Sequence, residues 1–269
     1  MARVRENRGT GLSKRRGRRS SKSNLMYYTA GAIVAIVVVG FLLVSLTSGH
    51  ATSTTSASSS STSRTQTTTA SQASPVQPII LYVNQGNGVV NGSNFGQLLS
   101  TATANGFNTI FFQVYREGTL LFTSGSLNEF VSSAHSQGLQ IFFALYFTNS
   151  TQTIPTSIYS DGEDGISLDM STLPISSQTN LFDQLSSGYS GKTAITTTDP
   201  TLGLKPNLLV VETYDEPSDE QYIHPGMIAG VEVVATTSKQ DYEQQVQYAL
   251  SNSDGVMVFD YAGLVKSGY

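Results

Sequence analysis

The chain has 269 residues, no cysteine and a formal net charge of −4, but its charges are unevenly distributed. Nine of the fifteen Lys and Arg residues lie between Arg3 and Lys22, whereas the sequence from Pro78 onward contains five basic and eighteen acidic residues. This acidic part should repel nucleic acid, so nucleic acid is excluded as a partner. The lack of cysteine excludes thiolate catalysis and thiolate metal ligands.

The segment Leu25–Leu46 is an uncharged apolar run, and about 20 such residues are enough to cross a bilayer. It is longer than the apolar region of a signal peptide, which favours an uncleaved anchor over a cleaved leader. Because the cations precede it, the positive-inside rule places the N-terminus in the cytoplasm. We therefore predict a basic cytoplasmic tail at residues 1–24 that contacts anionic lipid, a transmembrane helix at 25–47, and an extracellular remainder.

The next stretch, Thr52–Ser74, consists almost entirely of Ser, Thr and Ala. Such a composition cannot bury enough apolar surface to fold, so residues 48–78 are predicted to form a disordered stalk below an extracellular domain at 79–269. Two sequons, at Asn91 and Asn149, are consistent with an external, glycosylated domain.

From Ile79 onward, short apolar strands alternate with helical patterns. This alternation favours a parallel sheet covered by helices, and eight strands favour a small closed (β/α)8 TIM-like barrel of the α/β class. The domain has about 190 residues against about 250 in a typical barrel, and two crossovers lack helical periodicity, so an open or incomplete barrel is the alternative. The predicted strands are Ile79–Asn84, Thr109–Tyr115, Gln140–Tyr146, Gly165–Met170, Thr193–Thr198, Leu208–Tyr214, Gly230–Ala235 and Val256–Tyr261.

Three of these regions carry motifs in a recognisable order: Gly106–Gly118 with Asn-Thr-Ile-Phe-Phe-Gln-Val-Tyr, Ala134–Ala144 beginning Ala-His-Ser-Gln-Gly-Leu, and Asp164–Asp169 reading Asp-Gly-Ile-Ser-Leu-Asp. They resemble the glycoside-hydrolase-like TIM barrels of prokaryotic surface proteins, and Asp254–Tyr261 resembles the last strand of those barrels. The resemblance implies a barrel fold and a nucleophilic or stabilising carboxylate at Asp169.

The fourth strand is also similar to the chitinase signature D-G-x-D-x-D-x-E. Here the second Asp and the catalytic Glu of that signature are replaced by Ser167 and Ser171. Substrate-assisted chitinase chemistry is therefore not expected.

Glycoside hydrolysis requires two carboxyl groups on either side of the scissile bond. Asp169 is the first candidate, and Glu212 is the second because a carboxylate within an apolar strand is costly unless it is paired or functional. The alternative for Glu212 is neutralisation by Arg116, the sole Arg after residue 64. Glu232, placed early in the predicted seventh strand, is expected too near the bottom of the barrel to act as a nucleophile.

Residues at or near the other strand ends are predicted to line a sugar-binding site, since aromatic rings stack on sugar faces while polar groups bind hydroxyls. The predicted substrate-binding residues are Gln113, Tyr115, Arg116, Tyr146, Tyr214, Asp215, Asp260 and Tyr261.

No cofactor or metal is predicted, because His50, His135 and His224 are scattered without ligand spacing. Two functions remain open. One is a membrane-anchored glycoside hydrolase acting on surface or environmental glycans, and the other is a non-catalytic structural or carbohydrate-binding module on a degenerate barrel.

Overall fold

The computed structural model describes residues 76–85, 90–159, 161–213, 222–234 and 236–268. The predicted cytoplasmic tail, the predicted transmembrane helix and nearly all of the predicted stalk lie outside these ranges. Within them, none of the helices has the length and apolar character required to cross a bilayer.

Eight parallel strands form a closed barrel, because β1 pairs with β2 on one side and with β9 on the other. This confirms the predicted barrel and excludes the open alternative. A ninth strand, β3, is a two-residue antiparallel addition to the end of β2. The strands are β1 (Ile79–Val83), β2 (Thr109–Arg116), β3 (Thr119–Leu120), β4 (Gln140–Tyr146), β5 (Gly165–Asp169), β6 (Lys192–Thr197), β7 (Leu208–Glu212), β8 (Ile228–Glu232) and β9 (Gly255–Phe259).

The helical layer around the barrel is incomplete. Residues 198–207, which join β6 to β7, contain no helix, and the described part of the β4–β5 connection contains only the 3-10 turn Thr156–Ile158. The helices are α1 (Phe95–Ala104), α2 (Ser124–His135), α3 (Ile175–Gly188), α4 (Lys239–Asn252) and α5 (Tyr261–Lys266).

Alternating strand residues divide the core into two layers. The outer layer packs the strands against the helices, for example Phe112 of β2 against Phe130 of α2 with ring centroids 4.4 Å apart. The inner layer fills the barrel, so that the barrel is a packed core whose inward side chains reach solvent at its mouth. The inner residues are Ile80, Tyr82, Phe111, Phe142, Ala144, Ala194, Val210, Ile228 and Met257.

A β-bulge interrupts the alternation near the end of β2. The register with β4 shifts between Gln113 and Tyr115, so Val114 and Tyr115 both belong to the outer layer, and Arg116 then lines the inner side of the barrel mouth. Bulges commonly redirect side chains in this way at barrel rims. Strict alternation from Gln113 would turn Tyr115 inward, and the bulge is why Tyr115 does not line the barrel mouth.

β8 and β9 differ from their predicted bounds at both ends. β8 begins at Ile228, directly after the Pro225-Gly226 turn, and ends at Glu232 rather than extending to residue 235. β9 ends at Phe259, because Asp260 begins α5 by accepting a hydrogen bond from the Gly263 backbone N–H at 2.9 Å. A local helix cap therefore ends this strand two residues before the predicted boundary.

Candidate active site

A cavity of about 180 Å³ opens at the carboxyl ends of the barrel strands. Loops that follow parallel strands converge at this end, and in TIM barrels this face carries the active site. The side chains that line the cavity come from β2, β4, β5, β7 and β9 and from residues just after β1 and β5. They are Asn84, Gln113, Arg116, Tyr146, Asp169, Ser171, Glu212 and Phe259.

Asp169 is the last residue of β5, and its side chain is buried, with 5% of the residue exposed. Its Oδ2 accepts a hydrogen bond of 2.8 Å from the Tyr82 hydroxyl, and its Oδ1 accepts a longer one of 3.4 Å from Ser171. Burial disfavours the charged form and raises the pKa of Asp169 to about 6, against the opposing effect of these hydrogen bonds. Asp169 can therefore hold or release a proton within the weakly acidic range.

Arg116 and Tyr146 form one side of the cavity. The Arg116 guanidinium lies over the Tyr146 ring, 5.2 Å from its centroid, donates to Asn84 Oδ1 at 3.3 Å, and pairs with Glu117 at 3.4 Å. Burial, followed by the nearby charge of Asp169, raises the pKa of the Tyr146 hydroxyl. The Tyr146 hydroxyl thus stays protonated and can donate to a ligand.

Glu212 is the last residue of β7, lines the same cavity as Asp169, and is half-buried. The strand pairing places β7 two strands away from β5, with β6 between them. The two carboxyl groups selected from the sequence therefore converge in one open cleft. Their assignment as a catalytic pair remains a prediction.

Glu232 lies at the same end of the barrel, contrary to the sequence expectation that placed it near the bottom. It is the last residue of β8 and alternates with the inward-facing Ile228 through Gly230. Glu232 lies closer to the strand end than expected because β8 starts at Ile228, two residues before the predicted start at Gly230. The Met227-Ile228-Ala229 run after a Pro-Gly turn was the signal for the correct start.

Three other predicted binding residues lie outside the cavity lining. The hydroxyl of Tyr115 donates to the Thr153 carbonyl in the outer layer, Asp260 caps α5, and Tyr261 packs in the outer core from α5. Tyr214 and Asp215 lie outside the described residues.

Sequence reasoning missed Asn84, Ser171 and Phe259 as lining residues. Each lies on the inward face, two residues beyond Tyr82, Asp169 and Met257 respectively, so continuing the alternation of each strand by one step would have identified them.

A second cavity, of about 430 Å³, lies at the opposite end of the barrel, near the amino ends of β7, β8 and β9. Its lining is mainly apolar, and Asp254 is the one ionisable side chain in it. Although larger, this cavity lacks the paired groups that acid–base chemistry requires. Within the described ranges, no group of three or more His, Asp and Glu side chains is arranged to hold a metal ion.

No protein-family model and no curated protein matches this sequence. Among solved structures, the fold is similar to a chitinase from Bacteroides thetaiotaomicron, with a TM-score of 0.52, 11% identity, and coverage of 70% of this chain and 90% of that chain. It is also similar to a structure described as a glycoside hydrolase, with a TM-score of 0.52, 10% identity, and coverage of 71% and 62%. At such identities the similarity concerns the fold alone. It confirms the barrel fold that the motifs predict.

Proposed function

We propose that this chain is a membrane-anchored glycoside hydrolase that acts on surface or environmental glycans. The observation that carries the proposal is the convergence of Asp169 and Glu212 in one cleft at the carboxyl end of the barrel, where burial raises the pKa of Asp169 to about 6. The similarity of the fold to a chitinase and a glycoside hydrolase supports this chemistry by analogy of fold.

The two carboxyl groups take different roles because their environments differ. Asp169 is the general acid, since a raised pKa lets a carboxyl retain the proton that the leaving oxygen must receive. Glu212, half-buried at the end of β7, acts as the second carboxylate, either as a nucleophile or as the base that activates water.

The remaining lining residues supply groups suited to a sugar. Gln113 and Asn84 offer amides for hydroxyls, Tyr146 offers a hydroxyl donor, and Phe259 offers a ring face. Arg116 adds a cation, with its side chain 34% exposed. Together they recognise a neutral or weakly charged sugar unit bound between Asp169 and Glu212.

The location of the enzyme is inferred from the sequence. The nine cations before Leu25–Leu46 and the Ser/Thr-rich stretch after it support a cytoplasmic tail, a span and an external domain on a flexible stalk. Protease added to intact cells should release a fragment that begins within Thr52–Ser74. Release only after lysis would contradict this topology.

The activity is tested by incubating the full chain with a panel of neutral and amino-sugar glycans. Hydrolysis of at least one glycan is expected, with a loss of about 10²–10⁴-fold in the Asp169→Asn and Glu212→Gln variants. Asp183→Asn, which changes an exposed carboxylate on α3, is the matched control and should retain full activity. If no glycan is cleaved, the proposal fails.

The size of the cavity favours one alternative, a non-catalytic carbohydrate-binding or structural module. Sites for small molecules usually span about 300–1,000 Å³, whereas this cavity is about 180 Å³. A module of this kind would cleave no glycan, whether or not it binds one, so wild type and Asp169→Asn would be equally inactive.

A further inference from the structure

A chain of hydrogen bonds inside the barrel links the end of β1 to Asp169. Its central member is Tyr82, an inner-layer residue with 1% exposure whose ring packs against Phe259 with centroids 5.1 Å apart. Its hydroxyl donates to Asp169 Oδ2 at 2.8 Å, across 87 residues of sequence. Tyr82 does not line the cavity, so it reaches Asp169 from within the barrel core.

The direction of this chain is fixed by a backbone group. The Gln85 backbone N–H donates to Gln113 Oε1 at 2.8 Å, and a backbone N–H can only donate. The amide of Gln113 must therefore present its Nε2 to the Tyr82 oxygen, 3.5 Å away. Since that oxygen faces a donor on one side, the Tyr82 proton is directed to Asp169.

This arrangement distinguishes the two oxygens of Asp169. Oδ2 faces the barrel core and is occupied as an acceptor by Tyr82, whereas Oδ1 lies on the side of Ser171, which lines the cavity. An oxygen that accepts a strong hydrogen bond from a fixed donor is the poorer place for a proton. The transferable proton is then held on Oδ1, facing the cleft.

We propose that Tyr82 is a positioning residue that locks the Asp169 carboxyl through Oδ2 and leaves Oδ1 as the oxygen that delivers the proton to the glycan. The inference rests on the proposed role of Asp169 as the general acid. It adds a residue on a different strand, one that touches neither the substrate nor the reacting atoms.

The ionisable groups around Asp169 are contributed by several strands. Of the influences that lower the pKa of Asp169, the hydrogen bond from Tyr82 is the largest, ahead of the Ser171 contacts and the charge of Arg116. Tyr82 from β1 contacts Asp169 from the barrel core. The groups at the barrel mouth are Arg116 from β2, Tyr146 from β4, Glu212 from β7 and Glu232 from β8.

The test compares Tyr82→Phe with Tyr115→Phe in the full chain. Both changes remove one hydroxyl from a buried tyrosine, but the Tyr115 hydroxyl donates to the Thr153 carbonyl away from the cavity. The titration midpoint of Asp169 is followed by carboxyl ¹³C NMR and is assigned by its absence in Asp169→Asn. Tyr82→Phe should raise the midpoint by about one pH unit, because it removes a hydrogen bond to the charged form. Tyr115→Phe should leave it in place.

A midpoint that stays within about 0.3 pH units in Tyr82→Phe would overturn the inference, given the size expected for a direct hydrogen bond. If that variant does not fold, Gln113→Met serves instead, since it keeps Tyr82 but removes the donor that orients its hydroxyl. In Gln113→Met, a rise in the Asp169 midpoint smaller than that expected for Tyr82→Phe supports the inference, and an unchanged midpoint overturns it.

Once a cleaved glycan is known, kinetic measurements test the role of Tyr82 independently of the NMR titration. Tyr82→Phe should lower kcat about 10-fold with KM unchanged and should move the alkaline limb of the kcat profile to higher pH. An unchanged limb would contradict the inference. If no glycan is cleaved but the NMR midpoint still moves, the proposed function fails while the hydrogen-bond assignment holds.

Discussion

The two ends of β5 each carry an aspartate, and the two side chains have different surroundings. Asp164, just before the strand, accepts a hydrogen bond of 2.7 Å from the Ile141 backbone N–H and contacts His135 Nε2 at 2.8 Å, with its side chain 28% exposed. Asp169, five residues later, is buried and takes its side-chain hydrogen bonds from Tyr82 and Ser171. Asp164 satisfies a backbone group that needs a partner, whereas Asp169 resides where its charge is disfavoured.

This contrast matches the general division of TIM barrels into a stability face at the amino ends of the strands and a functional face at the carboxyl ends. Between the two aspartates, Gly165 and Ser167 face the interior. The inward-facing positions of β5 therefore run from one end of the barrel to the other. Substitutions along β5 therefore test the comparison position by position.

The largest effect on stability is expected at Gly165. A Cβ at this position would overlap the buried Phe142 ring and the Lys192 backbone carbonyl, neither of which can move freely. Gly165→Ala should therefore destabilise the protein by about 3 kcal/mol or more, since overpacking a filled core displaces its neighbours. Chemical denaturation measures the change, with Gly125→Ala as control because a Cβ there meets nothing within 4 Å. A loss below about 0.5 kcal/mol would mean that the barrel interior is looser than described.

A smaller loss is expected at Asp164. Asp164→Ala leaves the Ile141 N–H without its side-chain partner, which should lower the free energy of unfolding by about 1–3 kcal/mol. Glycan hydrolysis per folded molecule should not change, because Asp164 lies at the opposite end of the strand from the cleft. A variant of normal stability that has lost activity would reverse the roles assigned to the two ends.

The sequence predicted the fold well because the alternation of apolar residues along each strand locates that strand closely in the sequence. Apart from β3, which was not predicted, the strands from β1 to β7 begin at or within one residue of their predicted starts, and the side-chain period of two placed Asp169 and Tyr146 on the inward face. A local sequence pattern does not predict contacts across the barrel. The Tyr82 hydrogen bond to Asp169 joins strands that are distant in sequence, so only the closed sheet brings it about.

The remaining errors at the site have local causes. The β-bulge turned Tyr115 outward and Arg116 inward, and the Asp260 cap replaced a strand end by the start of α5. The bulge has no signal in the alternation of apolar residues, whereas Asp260 is one of the residue types preferred at the N-cap of a helix.

The smallest effect is expected at Ser167, midway along the strand. Its hydroxyl is buried and lacks a hydrogen-bond partner within the described structure, a condition that costs about 1–3 kcal/mol. Ser167→Ala should therefore raise stability by about 1 kcal/mol. Thermal unfolding checks this, with Ser133→Ala on the exposed face of α2 as control. A loss of stability would indicate that Ser167 has a partner, such as an internal water.

The most direct test of the division between the two ends is the free energy of unfolding of the wild type and of Asp169→Asn as a function of pH. The pKa of Asp169 is raised from 3.8 to about 6 in the folded protein. Folding therefore favours its protonated form. The contribution of Asp169 to the free energy of unfolding is fully present below about pH 4 and is lost as the pH rises through about 6.

Asn cannot ionise but can still accept from the Tyr82 hydroxyl, so the variant escapes this loss. The free energy of unfolding of Asp169→Asn is expected to equal that of the wild type near about pH 4 and to exceed it by about 2–3 kcal/mol near about pH 8, while the activity of the variant is lost. A variant that is less stable than the wild type by more than about 2 kcal/mol at both pH values would contradict the account, because Asp169 would then be a structural hydrogen-bonding residue like Asp164.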